Sequence, residues 1–265
     1  MSDDQHQTLH QLVNRLTPGP EGTVGHISAN WMQGRTAFGG ITAALALAAI
    51  RRNLPDLPQL RSVQMTYLRP IGADITVRVE LIRAGRTASF VRAEVLADGA
   101  MGAQGMFVFG AARDSAQVHD FATAPALPGP EDCPEFARRG TSPSFIWNFE
   151  VKQADGDPLI SGSGRPEMSV WGRLKETEGV PAEIALVCLA DVLPPAAMTG
   201  FTQPAPISTI TWQVDLARIP PQPDWVCIRT TSQQAAEGYS LQDMDLRDRD
   251  GRLLGAAKQL VALFA

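Results

Sequence analysis

The sequence predicts an α+β protein built from two copies of one unit. Each half contains a helix that is apolar on nearly every side, followed by four segments with the patterns of β-strands. The dipeptides Asp98-Gly99 and Asp250-Gly251, which favour tight hairpin turns, fall at matching places in the two halves. Because a helix that is apolar all round must be buried, we expect each helix to be wrapped by an antiparallel sheet.

The first unit begins with a helix predicted over residues 37–52, which is opened by Gly39-Gly40 and closed before Pro55. Strand patterns follow it, and apolar and polar residues alternate most strictly between residues 74 and 82. Such alternation indicates a strand with one buried face and one exposed face. The four predicted strands span residues 62–68, 74–82, 90–96 and 101–109.

A segment rich in proline and glycine separates the two units. It covers residues 122–143 and breaks the pattern of strands, which is typical of a linker. The prediction is therefore a first unit of residues 1–121, the linker, and a second unit of residues 144–265.

The second unit repeats the plan of the first, with two further strand patterns in front of its helix. These cover residues 144–152 and 168–174, and the helix is predicted over residues 181–193. Pro181 suits the first turn of a helix, where its missing N–H would have had no partner. Four strands are predicted after the helix, over residues 207–216, 225–232, 239–247 and 253–264.

The composition is that of an ordinary soluble protein and argues against several classes of function. Of the 265 residues, 44% are hydrophobic, and the formal net charge is −5. A nucleic-acid-binding protein would show a basic surface, whereas the basic residues here are scattered. No apolar stretch approaches a membrane-spanning length, and residues 1–11 lack the apolar core of a signal peptide. We therefore expect a cytoplasmic protein that binds neither nucleic acid nor membranes.

Cysteine and histidine are few and poorly placed for the chemistry they commonly support. The three cysteines, Cys133, Cys188 and Cys227, form no CxxC motif, which indicates isolated reduced thiols. All four histidines lie in the first half of the chain. This distribution argues against a Ser-His-Asp hydrolase and against a histidine-based metal site.

Asp191 is the most informative residue of the sequence. It lies in the apolar helix predicted over residues 181–193, on the face that carries Ile184, Val187 and Cys188. A carboxylate in such surroundings is expected to have a perturbed pKa, and perturbed carboxylates cluster at functional sites. The alternative is a helix-terminal aspartate, since Pro194-Pro195 follows, although an acid is unfavourable at the negative end of the helix dipole.

With these elements in place, the chain resembles the acyl-CoA thioesterase II family. The resemblance covers most of residues 20–264 and implies a double hotdog fold, in which each of two tandem units wraps an antiparallel sheet around a central helix. The order and spacing of its motifs are more specific than any single motif. The motifs are Phe38-Gly39-Gly40, Tyr67-Leu68-Arg69-Pro70, Leu189-Ala190-Asp191, Ser208-Thr209-Ile210, and Asp250-Gly251-Arg252-Leu253 leading to Gln259.

The resemblance also implies a reaction and the residues that perform it. The family holds the water that attacks a thioester with an aspartate on the second central helix, a threonine on the following strand and a glutamine on the last strand. By position these are Asp191, Thr209 and Gln259, all in the second unit. The implied reaction needs no metal or organic cofactor, and coenzyme A enters only as part of the acyl-CoA substrate.

Thr209 and Gln259 each have a structural alternative. Alternation along the strand places Thr209 on the face of Thr211 and Gln213, where a threonine is often only a strand-favouring residue. Gln259 lies in an apolar run and needs hydrogen-bond partners if it is buried. On an edge strand it would simply face water.

Gly39 and Gly40 are candidate substrate-binding residues. At the start of a helix, their backbone N–H groups and the positive end of the helix dipole can bind an anion or a carbonyl oxygen. The alternative is close packing of the helix against the sheet, which also requires glycine. The first helix has no acidic residue between Thr36 and Ile50, so we expect one active site per chain.

Two functions are consistent with the sequence. The first is an acyl-CoA thioesterase that releases free acid and coenzyme A. The second is a non-catalytic hotdog protein that binds acyl-CoA or lipid in the same pocket without turnover. Duplication covers one exposed sheet edge internally, but apolar sheet faces outside the pair would still need cover, so we also expect a homodimer or a higher homo-oligomer.

Overall fold

A computed structural model describes residues 6–137, 140, 142–221 and 224–265. Within these residues, twelve strands form one antiparallel sheet, and two central helices pack together against it. The helices and the inward-facing side chains of the sheet share one continuous hydrophobic core. None of the helices in the described parts of the chain has the length and apolarity needed to cross a lipid bilayer.

The described residues contain three α-helices. They are α1 (Leu9–Asn14), α2 (Gly39–Asn53) and α3 (Ala182–Ala190). The strands before the linker are β1 (Thr17–Gly19), β2 (Gly22–His26), β3 (Met32–Gln33), β4 (Thr36–Ala37), β5 (Leu60–Tyr67), β6 (Asp74–Ala84), β7 (Ala88–Ala97) and β8 (Ala100–Gly110). Those after it are β9 (Phe149–Gly156), β10 (Glu167–Leu174), β11 (Ile207–Leu216), β12 (Val226–Ala236), β13 (Tyr239–Arg247) and β14 (Leu253–Leu263).

The two halves of the chain meet edge to edge in the large sheet. Its strand order is β1-β2-β6-β7-β8-β5-β11-β14-β13-β12-β10-β9, so β5 and β11 are the strands at the junction. They pair antiparallel, with Gln64 opposite Gln213 and Val63 opposite Val214. The predicted double hotdog architecture is confirmed.

The two central helices run in opposite directions. At one end, Arg51 in the last turn of α2 forms an ion pair with Glu183 in the first turn of α3. At the other end, Gly40 in the first turn of α2 donates a backbone hydrogen bond to Asp191, the residue after α3. The start of α2 and the end of α3 therefore meet at one place, to which both halves contribute.

The second central helix is shorter than predicted. The sequence pattern extends over residues 181–193, but α3 ends at Ala190. Val192 N–H bonds the carbonyl oxygen of Leu189 at 3.0 Å, which tightens the final turn, and Pro194-Pro195 cannot continue a helix. Asp191 is consequently the C-terminal cap of α3 and not an internal residue of it.

The strand predicted over residues 144–152 is only partly correct. Ser144–Asn148 form a 3-10 helix, and β9 begins at Phe149. Asn148 marks the change, because its side-chain nitrogen donates to the carbonyl oxygens of Phe145 at 3.0 Å and Asn30 at 2.9 Å. These side-chain bonds stabilise a turn in place of a strand.

Elements before residue 37 were not predicted. α1 is opened by a capping box in which Thr8 accepts a bond from the Gln11 N–H and the Gln11 side chain accepts one from the Thr8 N–H. The spacing Thr-x-x-Gln is a known helix-start signal, so this helix was detectable. β1 and β2 form a hairpin that extends the sheet beyond β6.

Candidate active site

Asp191 lies where the two helix ends meet. Its carboxylate accepts hydrogen bonds from the Gly40 N–H and from Nε2 of Gln259, the latter at 3.0 Å, and the residue is only 7% exposed. The C-terminal end of α3 is unfavourable for a carboxylate, but the N-terminal end of α2 offsets it with N–H groups. The helix-terminal position and a buried polar environment therefore occur together at this residue.

Burial gives Asp191 an unusual acidity. It raises the pKa of the carboxyl group to about 7, although the hydrogen bonds from Gly40 and Gln259 act in the opposite direction. Loss of hydration disfavours the charged form, and here that effect exceeds the two bonds that favour it. A carboxyl group whose pKa is near neutral can both accept a proton and return it, as acid–base catalysis requires.

Gln259 connects Asp191 to Thr209. It lies on β14 between β11 and β13, faces inward opposite Trp212, and is 6% exposed, so the edge-strand alternative is wrong. Its Nε2 atom donates to Oδ1 of Asp191 at 3.0 Å and to Oγ1 of Thr209 at 3.1 Å. An ionised carboxylate can only accept hydrogen bonds, so the amide nitrogen must face Asp191, and each of its two hydrogens has a partner.

Thr209 reaches the cluster through a β-bulge in β11. The pairs across β11 and β14 run from Trp212–Gln259 to Thr209–Val261, with Ile210 as an extra residue between them. The bulge places Thr209 on the inward face, whereas strict alternation predicts the opposite face. That prediction is wrong because one inserted residue reverses the facing of every residue beyond it.

Gly39 and Gly40 form the first turn of α2 and pack closely against the carboxylate. A Cβ atom on Gly39 would lie 2.5 Å from Oδ2 of Asp191, and one on Gly40 would lie 2.5 Å from the carbonyl oxygen of Cys188. The Gly40 N–H is directed at Asp191. The Gly39 N–H, at the first helical position, has no acceptor within the helix itself. Close packing and hydrogen-bond donation both apply at this pair.

A cavity of about 930 Å³ adjoins the cluster and is lined by Asp191, Thr209, Gln259 and Gly39. This volume is within the range of small-molecule binding sites. Residues of both halves form its walls, and the rings of Phe38 and Phe145 stack with centroids 4.1 Å apart. The apolar lining includes Phe38, Ile71, Phe145, Ile146, Leu193 and Met198.

Tyr67 is a pocket residue to which the sequence assigned no separate role. Its hydroxyl group donates a hydrogen bond to the Gly39 carbonyl oxygen at 2.9 Å. Burial, and then the nearby carboxylate of Asp191, raise the pKa of the phenol well above its usual value, so it is neutral near neutral pH. Its motif ends β5, the strand that borders the second unit, and that position was the available signal.

Cys188 lies one turn before Asp191 and belongs to the core. Burial, followed by the Asp191 carboxylate, raises the pKa of its thiol well above the usual value. A neutral buried thiol is a poor nucleophile, so Cys188 is best understood as a packing residue of the core. Across the described ranges, no group of three or more His, Cys, Asp and Glu residues is placed to hold a metal ion.

The opposite end of the helix pair has different chemistry. There Arg51 lies in the last turn of α2, and its Nη2 atom donates to Glu183 at 2.8 Å. The same guanidinium donates to the carbonyl oxygens of Leu57 and Pro58 and lies 4.7 Å from the ring centroid of Phe109. This ion pair between the helices makes the two ends chemically unequal.

Solved structures with the same fold extend over nearly the whole chain. A protein from Alicyclobacillus acidocaldarius with a hotdog fold, described as of unknown function, has a TM-score of 0.87 and 23% identity, over 98% of this chain and 99% of that one. The tesB protein of Mycobacterium avium subspecies paratuberculosis has a TM-score of 0.80 and 18% identity, over 97% and 98% of the two chains. The acyl-CoA thioesterase II TesB2 from Mycobacterium marinum has a TM-score of 0.78 and 18% identity, over 97% and 98%.

Family models match both halves of the chain. No curated protein matches this chain. The acyl-CoA thioesterase N-terminal domain matches residues 27–110, and the acyl-CoA thioesterase C-terminal domain matches residues 130–263. The C-terminal match alone covers more than half of the 265 residues and includes Asp191, Thr209 and Gln259. The chain belongs to the acyl-CoA thioesterase family.

Proposed function

We propose that the protein is an acyl-CoA thioesterase that hydrolyses its substrate to a free acid and coenzyme A. One observation carries the proposal: Asp191, Gln259 and Thr209 form a hydrogen-bonded chain beside the N-terminus of α2, on the wall of a largely apolar pocket. A buried carboxyl group of near-neutral pKa, a pair of polar partners and a helix N-terminus are what attack of water on a thioester requires.

In the proposed reaction, ionised Asp191 accepts a proton from a water molecule whose oxygen bonds to the thioester carbon. The carbonyl oxygen then carries the negative charge of a tetrahedral intermediate. Collapse of this intermediate breaks the C–S bond, and protonated Asp191 returns its proton to the leaving sulfur. Because the pKa of Asp191 is about 7, its ionised and protonated forms are both populated near neutral pH, so it can act first as a base and then as an acid.

Gln259 and Thr209 are proposed to orient Asp191 and the water. Gln259 holds Oδ1 of Asp191 in one direction, so the carboxylate cannot rotate freely. Thr209 accepts the other Gln259 hydrogen bond, and its own hydroxyl hydrogen can be donated to the water or to the thioester. The Gly39 N–H and the positive end of α2 are proposed to stabilise the oxyanion.

The direct test measures release of free thiol from acyl-CoAs that differ in chain length and branching. The proposal predicts one thiol released for each acid formed, with Asp191→Asn, purified in parallel, as the control for a contaminating hydrolase. Binding of acyl-CoA without thiol release would instead favour a non-catalytic acyl-CoA or lipid-binding protein. The proposed reaction uses water, side chains and backbone N–H groups of the chain, and coenzyme A is present only within the substrate.

A further inference from the structure

We propose that Tyr67 is a positioning residue that sets the proton affinity of Asp191 through the Gly39–Gly40 peptide group. The inference rests on the proposed function only in that Asp191 is taken as the group that accepts a proton from water. Tyr67 reaches Asp191 from β5, whereas Gln259 and Thr209 reach the site from β14 and β11. Tyr67 is therefore contributed to the site by the first half of the chain, whereas Gln259 and Thr209 are contributed by the second half.

The geometry of a single peptide group connects the two residues. The Tyr67 hydroxyl donates to the Gly39 carbonyl oxygen at 2.9 Å, and the N–H of the same peptide group is that of Gly40, which donates to Asp191. In a trans peptide the C=O and N–H bonds point in opposite directions. A donor at the oxygen and an acceptor at the N–H therefore lie on opposite sides of one planar, polarisable unit.

Such a chain of hydrogen bonds is cooperative. A donor on the carbonyl oxygen increases the positive charge on the N–H of the same peptide, which strengthens the bond to an anion. The Gly40 bond is made to a carboxylate that has lost most of its water, where hydrogen bonds to the charged form decide how easily it ionises. Removing the Tyr67 hydroxyl should weaken the Gly40 bond and favour protonated Asp191.

Packing fixes the relative positions of the Tyr67 hydroxyl, the Gly39–Gly40 peptide group and the Asp191 carboxylate. A Cβ atom on Gly39 would lie 3.2 Å from the Tyr67 hydroxyl oxygen and 2.5 Å from Oδ2 of Asp191, so both oxygens border the space above one glycine. Any side chain at Gly39 would push either the phenol or the carboxylate away. The absence of a side chain at this position is what allows the phenol and the carboxylate to share one peptide group.

Few other titratable groups face Asp191. On the described elements packed around it they are Tyr67 of β5 and Cys188 of α3, and both have pKa values raised well above their usual values. Gly40 of α2, Thr209 of β11 and Gln259 of β14 do not titrate. The cationic group among the described pocket residues is Arg69, which is exposed. Titration near neutral pH is therefore that of Asp191.

The test compares Tyr67→Phe with wild type, and Tyr239→Phe serves as the matched control. The chain has two tyrosines, and Tyr239 is 50% exposed on β13, away from the pocket lining. Two readouts are taken from each protein: the pH profile of kcat/KM, and titration of the Asp191 side-chain carboxyl ¹³C resonance in the resting protein. The resonance is assigned by its loss in Asp191→Asn.

The expected result is an upward shift of the Asp191 pKa by about half a unit in Tyr67→Phe, the scale of one cooperative hydrogen bond. On the acid side of the profile, kcat/KM should then fall about threefold, while the alkaline plateau stays at the wild-type level. Tyr239→Phe should change neither readout. An unchanged or lowered Asp191 pKa in folded Tyr67→Phe, or an equal loss of kcat/KM at every pH, would overturn the proposal.

The resonance titration also separates this inference from the proposed function. It is read without substrate, so it reports the coupling between Tyr67 and Asp191 whether or not wild type hydrolyses acyl-CoA. A wild type that releases no thiol but shows the upward shift in Tyr67→Phe would contradict the thioesterase proposal and uphold the coupling. Normal hydrolysis by wild type with no shift of the Asp191 pKa in Tyr67→Phe would uphold the thioesterase proposal and contradict the coupling.

Discussion

Nε2 of Gln259 donates to Oδ1 of Asp191 at 3.0 Å, across the core from the last strand of the sheet to the end of the second central helix. The same nitrogen donates to Thr209 at 3.1 Å. Two residues separated by 68 positions in the sequence thus share one hydrogen bond, and a third is held by the same amide. Because Gln259 commits both amide hydrogens, neither partner can move without breaking a buried bond.

Removing this amide should lower turnover without unfolding the protein. We expect Gln259→Ala and Thr209→Val each to reduce kcat by about tenfold or more, and the double variant to lose less than the product of the two. Non-additivity follows if the two side chains hold one water. Thr209→Ser, which keeps the hydroxyl group, is the control and should retain most activity. Independent, multiplicative losses would show that the residues do not act as a unit.

Gly39 should tolerate no side chain. We expect Gly39→Ala to displace the Asp191 carboxylate, since the added Cβ would lie 2.5 Å from Oδ2, and to reduce kcat/KM by about 10²-fold. The cost of overpacking should lower the free energy of unfolding by about 1–3 kcal/mol. Gly164→Ala is the matched control, because a Cβ there would meet no atom within 4 Å. Equal turnover in Gly39→Ala and Gly164→Ala would show that the site tolerates a side chain at Gly39.

Asp191 should also control how stability depends on pH. Its pKa is raised from 3.8 to about 7 in the folded state, so the folded protein binds this proton more tightly than the unfolded chain. The stabilisation is fully present below pH 3.8 and is lost as pH rises through about 7, by at most about 4 kcal/mol. Asp191→Asn lacks this loss, so it should gain stability relative to wild type between pH 5 and pH 8.

Urea unfolding of wild type and Asp191→Asn at pH 5 and pH 8 measures the difference in their free energies of unfolding. The introduced amide can keep its contacts, because the Gln259 amide can turn its oxygen towards the new nitrogen and accept a bond from Thr209. A difference in unfolding free energy that stays constant from pH 5 to pH 8 would mean that Asp191 has an ordinary pKa.

Patterns of hydrophobicity were sufficient for most strands but not for the facing of Thr209. The strand predicted over residues 207–216 matches β11, and that over residues 239–247 matches β13. The bulge at Ile210 was not predicted, because polar and apolar residues alternate strictly from Thr209 to Leu216 and the pattern therefore groups Thr209 with Thr211. A register shift is decided by pairing with β14, which a single strand's sequence does not encode.

The contacts between the two halves could not be predicted from the sequence either. The apolar run around Asp191 indicated burial, and family resemblance supplied its partners Thr209 and Gln259. The bond from Gly40 joins residues that lie far apart in the chain, and it depends on the opposite directions of α2 and α3. The role of Tyr67 could not be predicted for the same reason, since its hydrogen-bond partner is a backbone oxygen at the start of α2.

The chain is expected to self-associate as a homodimer or a higher homo-oligomer. On β13, Tyr239 is 50% exposed and Leu241 is 49% exposed, and Leu241 lies opposite Leu260 on the outer face of the sheet. Apolar side chains of this kind are usually covered by a partner when they adjoin one another. Light scattering should give a mass above that of one chain, and Leu241→Lys should lower it. A concentration-independent monomer mass would contradict this expectation.

The central claim is that Asp191 activates or orients the attacking water, and Asp191→Asn tests it most directly. The measurement is thiol release from an acyl-CoA that wild type hydrolyses, with melting temperature and acyl-CoA binding determined on the same preparation. We predict a fall in kcat of about 10²-fold or more, little change in binding, and a folded variant. Wild-type turnover in well-folded Asp191→Asn would contradict the account.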